Sequence, residues 1–188
     1  MSKAAADKIS CYVTALNVLK SDDRLRSLKP RTGIDFSSND YLALASAPRM
    51  RKAVSAAVEA GTPIGAGGSR LLRGNCEEHE SLEAAAASFF GAETAIFFGS
   101  GYVANFAILT TLPQRGDLLV LDQLVHASIH EGARAGRADF RESRHNDPQS
   151  VETTIRDWRA QGGAGRIWIV VESLYSCLLY TSPSPRDR

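Results

Sequence analysis

A chain of 188 residues, 44% hydrophobic and with a formal charge of +1, has the apolar content for a packed core and lacks the basic excess of a nucleic-acid surface. Its three widely spaced cysteines suggest neither a disulfide framework nor a zinc site, and no apolar run approaches the ~20 residues of a membrane-spanning helix. No secretory or transit pattern opens the chain, so the expected setting is the cytoplasm.

Residues 4–28 read as a helical arm with Ile9, Tyr12, Val13, Leu16 and Leu19 on one stripe. A basic cluster of Arg24, Arg26, Lys29 and Arg31 follows, then a short strand expected at 34–36 and the polar turn Ser37-Ser-Asn-Asp40. The next helix has Ser46 as its expected cap, Pro48 in its first turn, Met50, Ala53, Val54, Ala57 and Val58 at helical spacing, and Gly61 as its stop. Gly65-Ala-Gly-Gly-Ser-Arg70 is too glycine-rich for regular structure. It is either a flexible connector or a place where backbone closely approaches a ligand or another subunit. Asn75 and Glu78 have the spacing of a capping box, ahead of a helix whose expected buried face is Leu82, Ala85, Ala86, Phe89 and Phe90.

The most informative stretch comes next. An apolar run, Ala95–Phe98, reads as a strand that ends in Gly99-Ser100-Gly101, and a helix then begins. Such a turn leaves backbone N–H groups unpaired where the helix dipole favours negative charge, which suits a phosphate. Downstream, strands expected at 118–121, 139–141 and 167–171 alternate with helices, one running from His126 to Gly136 and one starting at Asp147-Pro148 with Val151, Ile155 and Trp158. This alternation predicts an α/β fold with a largely parallel sheet, whose ligands bind beyond the carboxyl ends of the strands. Gly99–Gly101, Asp122–His126 and Glu172–Ser176 all fall there. Gly99-Ser-Gly-Tyr-Val-Ala104 also fits the dinucleotide pattern G-x-G-x-x-A, with Asp122 about 20 residues on as the ribose-binding acid. That reading leaves the whole stretch before Thr94 unexplained.

Six motifs in register supply a better account: Phe36-Ser-Ser-Asn-Asp-Tyr-Leu42, Gly65-Ala-Gly-Gly-Ser-Arg-Leu-Leu-Arg-Gly-Asn75, His79-Glu-Ser-Leu-Glu83, Ser100-Gly-Tyr-Val-Ala-Asn105, His126-Ala-Ser-Ile129 and His145-Asn-Asp147. Together they resemble the α-oxoamine synthases, which use pyridoxal 5'-phosphate (PLP), and the biotin-pathway branch most of all. The resemblance runs from about Leu25 to Ser176. It implies a PLP-dependent transferase fold of type I, represented by an N-terminal arm (1–45) and part of the large sheet domain (46–176). It further implies a homodimer, with pimeloyl-CoA as the acyl-CoA and L-alanine as substrates of a decarboxylating condensation. The glycine C-acetyltransferase and 5-aminolevulinate synthase branches are the nearer alternatives, and a nicotinamide-dependent oxidoreductase or a non-catalytic binding protein the more distant ones.

Residue by residue, the resemblance assigns Ser100, Gly101 and Tyr102 to the cofactor phosphate. His126 would stack on the pyridine ring and help orient substrate, as the catalytic histidine. Asn39 would contact the amino-acid substrate, Arg26 the acyl substrate (Arg24 and Arg31 being rivals), and Ser69 the substrate channel. Glu172 and Ser176 would lie beneath the ring, with Ser176 near its phenolate oxygen. No metal is implied. The chain departs from the family in one respect. The Schiff-base lysine of relatives lies beyond Ser176, and none of Lys3, Lys8, Lys20, Lys29 and Lys52 has its position. The last stretch, Cys177–Arg188, resembles a translated sequencing adapter. Setting it aside leaves equal numbers of basic and acidic residues. The expectation is therefore an inactive, truncated enzyme followed by a foreign tail.

Overall fold

The computed structural model describes residues 3–28, 30, 32–34, 38–175 and 180–181, and the chain divides into two units, Met1–Gly65 and Ala66–Arg188. In the first unit, α1 (Lys3–Ser21) is the predicted arm, and its apolar stripe is exposed. The Asp40 carboxylate accepts from Leu44 N (2.8 Å) and Ala45 N (3.0 Å), starting a short 3-10 turn at Leu44–Ser46. Helix α2 (Pro48–Glu59) follows with proline at its start, where the missing N–H costs nothing. Ser46 does not cap it: Ser46 closes the preceding turn, and Ala47 holds the cap position without a side-chain bond. The strand expected at 34–36 falls mostly outside the described residues.

The second unit opens with α3 (Glu77–Phe90), ended by Gly91 in the left-handed region at φ 62°. Asn75 does not cap it. Cys76 stands at the N-cap, and the Asn75 amide is instead engaged by Arg70 and Glu80. The face expected to be buried is open, with Phe89 83% and Phe90 77% exposed, because no described element covers it. The run at 95–98 forms no ladder among the described residues. Phe97 N donates to the Glu83 carboxylate (2.7 Å), which takes the place of a neighbouring strand. Helix α4 (Gly101–Thr111) then starts as predicted.

The sheet is built on β1 (Leu118–Asp122), whose residues Leu118 to Leu121 are 0% exposed. After it come α5 (Ala127–Ala135), β2 (Asp139–Ser143), α6 (Pro148–Ala160) and β3 (Ile167–Val170). Strand order is β2-β1-β3, all parallel, with Leu119 opposite both Phe140 and Trp168. Alternate β1 side chains point to opposite faces. Leu119 and Leu121 pack with Leu109, Val125, Ile129, Ala133 and Tyr175, while Leu118 and Val120 pack with Trp158. Both faces of the central strand are thus covered, as a parallel sheet requires. Asp147 Oδ1 caps α6 at Ser150 N (2.9 Å), as the Asp-Pro start predicts. A small antiparallel pair, β4 (Leu174–Tyr175) with β5 (Tyr180–Thr181), completes the unit. No helix among the described residues is long and apolar enough to cross a membrane.

At Gly132, α5 presents bare backbone to the Leu109 side chain and the Phe106 backbone of α4. A Cβ there would lie 3.0 Å from Leu109 Cβ and 3.2 Å from Phe106 Cα. Gly132→Val is therefore expected to push the helices apart and destabilise the fold by ~1–3 kcal/mol. A lowered urea midpoint with an unchanged slope is the expected reading, and an unchanged midpoint would contradict this packing.

Candidate active site

The carboxyl end of β1 is where the loops of the second unit converge. Asp122 ends that strand at 3% exposure. Its Oδ1 accepts from Leu124 N and its Oδ2 from Asn146 N, both at 2.9 Å, and His145 Nδ1 lies 2.9 Å from each oxygen. Burial pushes this carboxyl up, but the two amides and His145 outweigh it and hold it below the usual aspartate range. Asp122 is thereby committed to pinning two loops. The dinucleotide reading needed this carboxylate for a ribose, and its occupied oxygens overturn that expectation.

On the same rim, Ser100 is the N-cap of α4, its Oγ accepting from Tyr102 N (3.1 Å) and Val103 N (3.4 Å). A Cβ added at Gly99 or Gly101 would meet nothing within 4 Å, and Gly99 to Tyr102 are all exposed to solvent. His126 is the N-cap of α5, and Tyr102 meets its ring edge-on, with centroids 6.4 Å apart and planes at 82°. The backbone N–H of His126 donates to Glu172 Oε1. Glu172 N in turn donates to the hydroxyl of buried Tyr175 (3.2 Å), whose ring packs edge-on to His145 at 4.6 Å.

Ser100, Gly101, Tyr102, His126 and Glu172 are thus brought onto one rim. Ser69 lies in the same unit, ahead of a wide turn, Arg70–Gly74, in which its carbonyl accepts from Leu72, Arg73 and Gly74 N–H groups; its side chain is exposed. The turn needs glycine at its end, since a Cβ on Gly74 would sit 2.0 Å from Gly68 O. Arg26 and Asn39 belong to the first unit. Arg26 is exposed beyond α1, and Asn39 Oδ1 accepts from Tyr41 Oη at 3.4 Å. Ser176 lies outside the described residues. Sequence reasoning assigned no site role to Asn105, Ser128, His145 or Tyr175. The first three stand inside the motifs quoted above, which was the available signal, whereas nothing distinguished Tyr175 from a core aromatic.

A clasp joins the glycine-rich stretch to the segment leading into the Ser100–Tyr102 turn. Arg70 grips Glu83 through two bonds of 2.5 and 2.9 Å, and Asn75 Oδ1 accepts from the same guanidinium at 2.8 and 3.0 Å. With Phe97 N also bound, Glu83 is held down to about 2, chiefly by Arg70 and then by that amide.

The chain belongs to the aminotransferase class I and II family, whose match covers residues 31–178. Among curated relatives it is similar to the 8-amino-7-oxononanoate synthase of Chromobacterium violaceum, 42% identical over 78% of this chain and 37% of that protein. The corresponding enzyme of Citrifermentans bemidjiense is 43% identical over 88% of this chain and 44% of that protein. Among solved structures, a serine palmitoyltransferase from S. paucimobilis with bound PLP superposes with a TM-score of 0.75 at 25% identity, over 94% of this chain and 47% of that one. The chain therefore spans less than half the length of the curated relatives it matches. The type I fold with a parallel sheet follows from this family membership and from the observed topology.

Because the folded value of Glu83 is depressed, its clasp is complete above the ordinary 4.5 and is lost as pH falls toward about 2. Exchange at the Phe97 amide, corrected for its intrinsic rate, is expected to quicken across that window. In Glu83→Ala, which has no acceptor, it should be fast throughout; a variant as protected as the parent would exclude the clasp.

Proposed function

We propose that this chain is the amino-terminal part of a PLP-dependent, decarboxylating acyltransferase that condenses pimeloyl-CoA with L-alanine to 8-amino-7-oxononanoate. The observation that carries this reading is the pairing, on one rim, of an open helix N-terminus at Ser100–Tyr102 with the exposed flat ring of His126. The donor set fits the cofactor: amides and a hydroxyl for a dianionic phosphate, and an imidazole for a pyridine face. When bound, PLP supplies an electron sink for carbanion chemistry.

The residues of the chain then divide the remaining work. The amides of Gly101 and Tyr102, with Ser100 Oγ, hold the phosphate, whose oxygen takes over the capping role that Ser100 performs in the observed structure. His126 covers the ring, and Glu172 fixes the backbone from which that ring projects. Ser176 is assigned to the phenolate oxygen, Asn39 to the amino-acid substrate, Arg26 to the acyl-CoA and Ser69 to the channel. The complete enzyme is read as a homodimer. The likeness to a serine palmitoyltransferase favours a second reading, in which the same machinery joins a different amino acid and acyl-CoA.

On the resemblance to the α-oxoamine synthases, the Schiff-base lysine lies beyond Ser176, and none of Lys3, Lys8, Lys20, Lys29 and Lys52 matches its position. The 188-residue polypeptide is accordingly expected to hold PLP without a covalent bond. Saturable quenching of tryptophan fluorescence by PLP should be seen, with no lysine labelled after borohydride treatment. His126→Ala should weaken binding ~3–10-fold, the value of losing one aromatic contact of ~0.5–1.5 kcal/mol. Absence of saturable binding, or stoichiometric labelling of one lysine, would refute this assignment.

A further inference from the structure

Two motif residues without an assigned role, Asn105 and Ser128, meet at the back of His126. Ser128 is fully buried in the first turn of α5, and Asn105 stands on α4, one turn beyond Ser100. Asn105 Nδ2 donates to Ser128 Oγ at 3.0 Å, and Ser128 Oγ lies 2.8 Å from His126 Nδ1. Ser128 N also points at Nδ1, at 3.2 Å. A serine hydroxyl has one proton and two lone pairs. With the asparagine N–H occupying a lone pair, the proton is directed at His126.

We propose that Asn105 and Ser128 are positioning residues for His126, a relay that aims two donors at Nδ1 and thereby locks the imidazole in the tautomer carrying its proton on Nε2. The arrangement has two consequences. First, the ring plane is set by a buried contact and not by the cofactor, so the stacking surface exists before ligand arrives. Second, the relay starts on the helix whose N-terminus forms the phosphate turn, so the distance between phosphate turn and ring is fixed by α4 packing on α5. The close approach at Gly132, where α5 has no side chain to keep α4 away, holds that distance. A ring held this way covers a π-system without exchanging protons through Nδ1, and presents Nε2–H as its remaining donor. This inference rests on the PLP reading for its purpose, but its geometry stands apart from it.

The test is the imidazole nitrogen spectrum of the 15N-labelled 188-residue chain at alkaline pH, with His126→Gln used to assign the resonances. The parent is expected to show an unprotonated Nδ1 and a protonated Nε2 at His126. Ser128→Ala removes one donor and should move both shifts toward the average of two tautomers. Asn105→Asp should reverse the relay: a carboxylate accepts the serine proton, the oxygen lone pair then faces the ring, and the proton moves toward Nδ1. A merely structural role would not produce that opposite displacement. Exchange protection of Leu119–Leu121 reports that each variant is folded. In parallel, Ser128→Ala should weaken PLP severalfold while leaving inorganic phosphate unchanged. A protonated Nδ1 in the parent, or identical His126 shifts in parent and both variants, overturns the relay. Shifts that move as expected in a chain that binds no PLP would uphold the relay and defeat the cofactor reading instead.

Discussion

Everything in the second unit depends on one strand being fully enclosed. β1 has neighbours on both edges and apolar cover on both faces, so its backbone has no freedom and its ends are fixed points. Each end is marked by an aspartate that is buried and saturated with donors. At the amino end, Asp117 accepts from Gln114 N, Arg166 N and Trp168 Nε1, tying the turn before β1 to the start of β3. Those bonds, Gln114 N first, hold its carboxyl below the usual range. At the carboxyl end, Asp122 does the same for the loops after β1 and β2. An unpaired buried carboxylate would cost several kcal/mol, so each aspartate enforces the loop geometry that satisfies it.

The rim inherits its order from that fixed point. His126 follows Asp122 by four residues, too short a loop to wander, and its amide is held by Glu172 beyond β3. The contacts His145–Tyr175 and Tyr175–Glu172 run from the loop after β2 to the loop after β3. Three segments far apart in the chain thus become one surface through side chains that themselves face inward. The helix N-terminus at Ser100 joins them because α4 packs on α5, through the Asn105–Ser128 bond and the close approach at Gly132.

How much of this could be read beforehand varied with how local the cause was. The strand at 118–121, the Asp147–Pro148 helix start and the Ser100 turn were legible, because hydrophobic runs and caps act within a few residues. The cap at Asn75 was not. Its side chain could satisfy either a helix amide or a guanidinium, and only the fold brings Arg70 to it. The strand expected at 95–98 failed for a related reason. β propensity describes what a segment does when a neighbour is present, and among the described residues Phe97 has the Glu83 carboxylate as its partner. The buried face expected on α3 failed likewise, since periodicity reports a stripe but not whether anything lies against it. Asp122 is the instructive case at the site: its spacing from the glycine turn suited a ribose contact, yet no spacing rule could report that both its oxygens are already engaged.

The division between the two units bears on which parts of the proposed chemistry need rigidity. Of the residues assigned to the cofactor, Ser100, Gly101, Tyr102 and His126 sit at the starts of α4 and α5, held by the Ser100 cap, the His126–Glu172 bond and the Asn105–Ser128–His126 contacts. Those assigned to the substrates, Arg26 and Asn39, sit on exposed backbone of the first unit, and the side chain of Ser69 is exposed ahead of the Arg70–Gly74 turn. A cofactor reused in every turnover needs one orientation to within a fraction of an ångström, because its chemistry depends on orbital alignment. Substrates enter and leave, and groups that contact them have to admit passage. On this view the Arg70–Glu83 clasp stands at the boundary between the two demands. It anchors the glycine-rich turn at one point, through a side chain that also holds the segment leading into the Ser100–Tyr102 turn, while the Ser69 side chain is exposed.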